Sequence, residues 1–261
     1  DSVFKSDYKN FEVIIVSDNS DDDSIDIAKK YQTTIIQLPI NKGPANARNI
    51  GVKNSEGDII LFIDSDVMLN PKSLNIILEN FSEKNVHAIQ GIYSHEPNYK
   101  SIATQFYQSY LSYYVWSKNK VNASTLVTGC FAIKRNIFNK MDGFDINIHN
   151  ASCEDEKFGY SLIKSGYEIL IVRNLQVVHK VNYNIIKFIK RRFNQDLDRI
   201  KFYLREKTYI NKIKQKNYSN VIIGIPLIGL ILINVLTLLF TCTSLILLVL
   251  IILNLLYVSL H

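Results

Sequence analysis

Asp64 and Asp66 are two carboxylates separated by a single serine, and they follow directly on the apolar run Ile59-Ile60-Leu61-Phe62-Ile63. Gly57-Asp58 supplies turn chemistry just before that run. Five large apolar residues behind a turn predict a buried strand. Both carboxylates then emerge at its C-terminal end, where open α/β sheets form their ligand crevice. Like charges this close repel unless something positive lies beside them. A hard divalent cation carrying a phosphorylated ligand meets that demand. Two further acidic positions stand out. Asp18 ends another apolar run, Val13-Ile14-Ile15-Val16, after one serine, and Glu154-Asp155 form an adjacent pair whose plain reading is the acidic first turn of a helix.

The elements that must carry these residues can be read from period and turn signals. Residues 12–16 predict a first strand, 24–31 a helix with acidic residues first and Lys29-Lys30 last, and 33–38 a second strand. A loop at Asn41-Lys42-Gly43-Pro44 leads into a helix over 45–54. The strand before Asp64 follows, then a helix over 71–80 and a strand over 86–93. Residues 125–133 read as another strand, and 169–172 and 177–178 as two short late ones. Strands alternating with helices predict an α/β fold on a parallel sheet. Residues 99–119 are rich in Phe, Tyr and Trp, either an acceptor groove or a helix packing its aromatic face on the sheet.

Charge is segregated along the chain. From Lys180 to Lys216 there are 12 Lys and Arg against 3 Asp and Glu, although the whole chain carries a net +6. Apolar residues at Ile185, Ile186, Ile189, Phe193, Leu197, Ile200 and Leu204 recur at helical spacing through that basic segment. Such a helix suits a membrane interface, and the alternative is a helix packed on the preceding domain. From Val221 to Leu260 there is no Asp, Glu, Lys or Arg. That length is about twice the roughly 20 residues one bilayer span needs, and Thr241-Cys242-Thr243-Ser244 interrupts it. Two membrane helices over 220–261 are expected, after a basic helix and linker over 183–219 and a catalytic domain over 1–182. The basic flank places that domain on the cytosolic side and favours anionic lipids over nucleic acid as the partner. Three scattered cysteines, Cys130, Cys153 and Cys242, give neither a disulfide framework nor zinc-ligand spacing.

Four segments in order carry a resemblance. They are Glu12-Val-Ile-Ile-Val-Ser-Asp18-Asn-Ser20, Asn41-Lys-Gly-Pro-Ala-Asn-Ala-Arg48-Asn49-Ile-Gly51, Gly57-Asp58 through Asp64-Ser-Asp66, and Cys153-Glu154-Asp155-Glu-Lys-Phe158-Gly-Tyr160. Over residues 1–205 the chain resembles a membrane-anchored family 2 glycosyltransferase with the GT-A fold. The resemblance implies an inverting transfer of a sugar from a UDP- or GDP-sugar to a glycan or lipid-linked hydroxyl, with Mg2+ or Mn2+ as cofactor. It implies Asp66 as direct metal ligand, and Asp64 on the ribose or on the metal through water. Asp18 would accept a hydrogen bond from the base. Asp155 would be the general base with Glu154 as its neighbour. Arg48 either offers its fork to the donor or pairs with a carboxylate. His179 is either a further metal ligand or a packed histidine, and Gly129 either admits a sugar against the backbone or is a simple strand-edge glycine.

Members of that family begin with a strand of the type hhIPTYN, and this chain starts at Asp1 within what reads as the following helix. A piece of a longer protein is therefore expected. Gln195-Asp-Leu-Asp-Arg199 has the wrong spacing for Q-x-x-R-W, so the resemblance does not extend to processive synthesis. Two rivals remain from sequence: a haloacid-dehalogenase-type phosphotransferase with Asp64 as nucleophile, and a membrane-anchored nucleotide-sugar-binding protein without catalysis.

Overall fold

The computed structural model describes residues 1–83, 86–94, 101, 104–105, 126–148 and 153–181, with scattered positions from 184 to 198. Two short strands, β1 (Ile14–Ser17) and β2 (Thr34–Gln37), pair in parallel around the helix α1 (Ser24–Ala28). The helix α2 (Pro44–Lys53) then leads to β3 (Ile59–Ile63) and β4 (Val67–Leu69), which flank the Asp64-Ser65-Asp66 turn. After them come α3 (Ser73–Ser82), β5 (Ala88–Tyr93), β6 (Cys130–Lys134), α4 (Arg135–Lys140), α5 (Glu154–Lys164) and β7 (Ile169–His179).

The main sheet has five strands in the order β3-β6-β5-β7-β4. It is mixed, not parallel as expected: only β5 and β7 run together, while β3–β6, β5–β6 and β4–β7 are antiparallel. Apolar runs report burial and not direction, because a strand covered on both faces reads alike either way. A second correction concerns the late strands. Residues 169–179 form one strand, and the gap between the two expected pieces is a register irregularity. Gln90 pairs with Ile171, yet Ile92 pairs with Gln176. The short strand β4 and the helix α4 were not anticipated. β1 and β2 form a separate sheet, and among the described residues no strand pairs β1 with β3. Glu12 ties the two sheets at one end, its Oε1 accepting from the N–H groups of Glu56 and Gly57 at 2.6 and 2.9 Å.

Period-two alternation explains the two cores. Ile60 and Phe62 of β3, with Phe131 and Ile133 of β6, face Val52 of α2 and Phe138, Phe144, Phe158 and Leu162. Cys130 and Ala132 point to the other face, with Val67, Leu69, Val177 and Ile77 and Phe81 of α3. Five phenylalanines interlock on the first face, with ring centroids 4.6 to 6.4 Å apart. Asn49 fastens this cluster to α2: its Nδ2 donates to the Phe144 carbonyl at 2.8 Å, and its Oδ1 accepts from the Phe144 N–H at 2.9 Å. Gly143, at φ +70, makes the turn, and a Cβ there would meet Asn49 Oδ1 at 2.6 Å.

The aromatic segment, most of the basic helix and the hydrophobic run lie outside the described residues. Among the described residues no helix is long and apolar enough to cross a membrane.

Replacing Asn49 with Ala orphans both Phe144 backbone groups. A loss of about 1–3 kcal/mol per uncompensated group is expected to lower the thermal midpoint clearly while the far-UV spectrum stays native. An unchanged midpoint would show that the clamp carries no stability.

Candidate active site

Three chain segments converge on one guanidinium. Arg48 lies in the middle of α2, and its side chain is only 17% exposed. Its Nη1 donates to Glu154 Oε1 at 2.9 Å, and its Nη2 donates to Asp64 Oδ1 at 3.2 Å. The Phe144 ring lies 5.6 Å away, close enough for cation–π attraction. Burial works against the charge, yet the carboxylates of Asp64, Glu154 and Asp155 outweigh it and hold the Arg48 pKa above its ordinary value. Arg48 is thus paired with carboxylates, one of the two sequence alternatives. Glu154, with a side chain 4% exposed, is thereby occupied as the partner of Arg48.

Asp155 is the next residue of α5. Its Oδ1 accepts from the Glu156 N–H at 2.8 Å, within a helix first turn that holds Glu154, Asp155 and Glu156. Part of the residue's surface reaches solvent. Burial of the carboxyl is nevertheless the largest cause that pushes its pKa up to about 8, followed by the Glu154 and Glu156 charges, while Arg48 pulls the other way. A carboxyl raised into this range is matched to proton transfer near neutral pH.

Strand register builds the opposite side. The turn between β3 and β4 is closed by Val67 N–H donating to the Asp64 carbonyl at 3.0 Å. Val67 pairs with His179, so Asp66 must sit beside the end of β7. The Lys180 N–H donates to the Asp66 carbonyl at 2.7 Å, and His179 Nε2 lies 3.2 Å from Asp66 Oδ2. The His179 side chain is 9% exposed and the Asp66 carboxylate 42%, so the pair opens toward solvent from the carboxylate. Among the described residues no three His, Cys, Asp or Glu side chains converge closely enough to hold an ion unaided. Asp66 offers a carboxylate oxygen of the kind Mg2+ and Mn2+ prefer, His179 offers an imidazole beside it, and such ions commonly complete their shell with substrate phosphate and water. The donor set fits on those terms.

Asp18 bonds to the backbone through both oxygens. Its two carboxylate oxygens accept from the N–H groups of Lys42 and Gly43 at 2.8 and 2.7 Å, joining the β1 turn to the loop before α2. Gly129 precedes β6, and its carbonyl faces the Asp64 N–H at 3.5 Å. What a Cβ there would meet is Tyr93 Oη at 1.9 Å, so this glycine makes room for a tyrosine. Tyr93 went unremarked in the sequence. The only signal for it was its place at the end of an apolar strand, and that does not reveal which strand lies alongside. Cys130 is buried, with its thiol pushed up to about 12 by that burial, so it is no nucleophile.

A family model described as glycosyl transferase family 2 matches residues 1–142. Among curated relatives, an O-antigen chain rhamnosyltransferase of Salmonella anatum is 27% identical over 193 residues, which is 70% of this chain and 61% of that protein. An uncharacterized glycosyltransferase of Haemophilus influenzae is 39% identical over 88 residues, 30% of this chain and 35% of that protein. The chain thus spans less than two thirds of the length of these relatives. Among solved structures, a mannosyltransferase of Pyrobaculum calidifontis, in complex with GDP-Man and Mn2+, superposes with a TM-score of 0.55 at 17% identity, covering 70% of this chain and 52% of that one. Staphylococcus aureus TarS 1–349 in complex with UDP-GlcNAc gives 0.54 at 21% identity, covering 70% and 54%. At these identities the likeness establishes the fold, which is the GT-A fold expected from sequence.

The raised Asp155 pKa has a stability consequence. A carboxyl that holds its proton more tightly when folded contributes most below its unfolded value of 3.8, and that contribution is lost as pH rises through about 8. Asp155→Asn removes the titration. Its thermal midpoint is expected to match the parent below pH 3.8 and to exceed it by a margin that grows up to about pH 8, measured by scanning fluorimetry across that range. Parallel curves at all pH values would refute the raised pKa.

Proposed function

The chain belongs to glycosyl transferase family 2, and from that premise we propose that it moves a sugar from a nucleoside diphosphate sugar to an acceptor hydroxyl with inversion at the anomeric carbon. The observation that carries the reading is the Arg48 bridge. It joins the Asp64-Ser65-Asp66 turn to the Glu154-Asp155 helix start, which lies 106 residues further along the chain than Arg48 itself. One acidic pair suits the diphosphate end of a donor, and the other suits the hydroxyl end of an acceptor.

Asp66 and His179 would hold a divalent ion, with Asp64 beside them; when bound, that ion neutralises charge on the departing diphosphate. Asp155 takes the proton of the acceptor hydroxyl. The hydroxyl oxygen bonds to the anomeric carbon from the face opposite the diphosphate. The carbon–oxygen bond to the diphosphate breaks, and its electron pair leaves with the nucleoside diphosphate. Positive charge grows on the sugar ring along this path, as in glycoside hydrolysis. Glu154 keeps Arg48 in place, and Arg48 lowers the Asp155 pKa from where burial and the Glu154 and Glu156 charges would otherwise put it. Asp18 remains the proposed contact to the nucleotide base. UDP-GlcNAc in TarS and GDP-Man in the Pyrobaculum enzyme support a UDP- or GDP-sugar donor. Family membership leaves no place for a phosphotransferase with Asp64 as nucleophile.

The acceptor reading is a glycan or lipid-linked hydroxyl at the cytosolic membrane face. Support comes from the charge-free run over 221–260 and from four side chains before it. Ile186, Ile189, Phe193 and Leu197 are exposed at helical spacing, and Lys187, Lys190, Arg191 and Arg192 lie between them. A free apolar face between cations suits a lipid interface.

Two experiments test this. In the full-length protein, nucleotide sugars are screened with Mg2+ or Mn2+ and released nucleoside diphosphate is measured. Asp155→Asn is expected to keep donor binding while losing about 10²–10⁴-fold in turnover, and Asp66→Ala to weaken metal-dependent donor binding. Full turnover in both variants, or binding without turnover for any acceptor in the parent, would defeat the assignment. Separately, the full chain in cells is expected to sediment with membranes and resist alkaline extraction. Release into the soluble fraction would rule out the membrane anchor.

A further inference from the structure

Tyr93 connects features that the site description leaves apart. It is the last residue of β5 and pairs with Val177 of β7. Side chains two apart on a strand share a face, so His179 lies on the same face as Val177 and its partner. The Tyr93 ring stacks on the His179 imidazole with centroids 4.7 Å apart and planes 18° from parallel. Its far end reaches Gly129, where a Cβ would stand 1.9 Å from Tyr93 Oη, 2.9 Å from its Cζ and 3.4 Å from Asp64 Oδ2. The phenol thus runs from the Asp64 end of the acidic turn to the imidazole that meets Asp66 at 3.2 Å.

The geometry points to Tyr93 as a positioning residue of the metal site: its ring fixes the plane of His179 against Asp66, and the bare backbone of Gly129 is what lets the phenol lie there. An imidazole turns broadly about its terminal torsion, and the contact of one ring nitrogen with Asp66 fixes a point on the ring and not its plane. A face-to-face neighbour at stacking distance removes that freedom. Outer contacts of this kind orient a ligand before the ion arrives. The inference rests on the reading of Asp66 and His179 as metal ligands, and it gives Gly129 a reason that needs no sugar.

Mn2+ uptake by the full chain in detergent, with UDP or GDP present, tests it through loss of the free-ion EPR signal. His179→Ala serves as the reference loss. Tyr93→Leu is expected to weaken Mn2+ binding by about tenfold or more, and Tyr93→Phe, which keeps the ring, by a few-fold at most. Gly129→Ala is expected to weaken binding as Tyr93→Leu does. Adding Tyr93→Phe to Gly129→Ala removes the atom nearest the new methyl and is expected to restore much of the loss. This glycine pair decides the matter even if Tyr93→Leu does not fold. Wild-type binding in Tyr93→Leu and Gly129→Ala alongside a loss in His179→Ala would overturn the role of Tyr93 and leave the metal site standing. So would a double variant no better than Gly129→Ala. No Mn2+ uptake by the parent with either nucleotide would remove the metal site and this inference together.

Discussion

A buried guanidinium between two carboxylates is the constraint on which the site depends. Arg48 brings Glu154 and Asp64 within hydrogen-bond reach of a single side chain. Burying Arg48 or Glu154 alone would cost several kcal/mol, and removing either strands the other, whereas the Asp64 carboxylate is 40% exposed. The arrangement therefore requires α2, the end of β3 and the start of α5 to meet. The packing around it serves that meeting. Asn49, one residue along α2, clamps Phe144, and Phe144 supplies the ring face beneath Arg48. The aromatic cluster holds α5 against β3 and β6 from the same side.

The second half of the site is a matter of register. β4 has three residues, too few to contribute much burial, but its pairing with β7 sets Asp66 beside His179. An odd register slip would turn His179 to the other face of the sheet. The irregularity between Gln90 and Ile92 lets β7 follow β5 on both sides of a kink and still end at Asp66. Fold and chemistry meet at these two points: an ion pair linking helix to strand end, and a three-residue ladder linking turn to strand end.

Much of this was legible in the chain. The apolar run before Asp64 predicted β3 to its residue, because five large side chains behind a turn leave little alternative. The acidic start of α5 was visible for the same reason, since carboxylates suit a helix N-terminus. Strand direction was not legible, and the parallel sheet expected from alternation proved mixed. β4 escaped notice because exposed Met68 between two buried neighbours is too short a period to register. The partners of Arg48 were open because sequence offers the residue and not its neighbour. Tyr93 was invisible for a sharper reason: its role exists only through the pairing of β5 with β7, and Gly129 hides the contact by having no side chain.

The site is held together by the coupling between Arg48 and the acidic residue beside the proposed base. A double-mutant cycle on Arg48→Met and Glu154→Gln, read as the thermal midpoint of the full chain, measures that coupling directly. Each single change strands a buried polar or charged partner, so both are expected to be costly and the double variant to lose markedly less than the two losses combined, with a coupling of about 1–3 kcal/mol. Strictly additive losses would mean that the two side chains act independently, and the bridge between the two acidic motifs would then carry no weight.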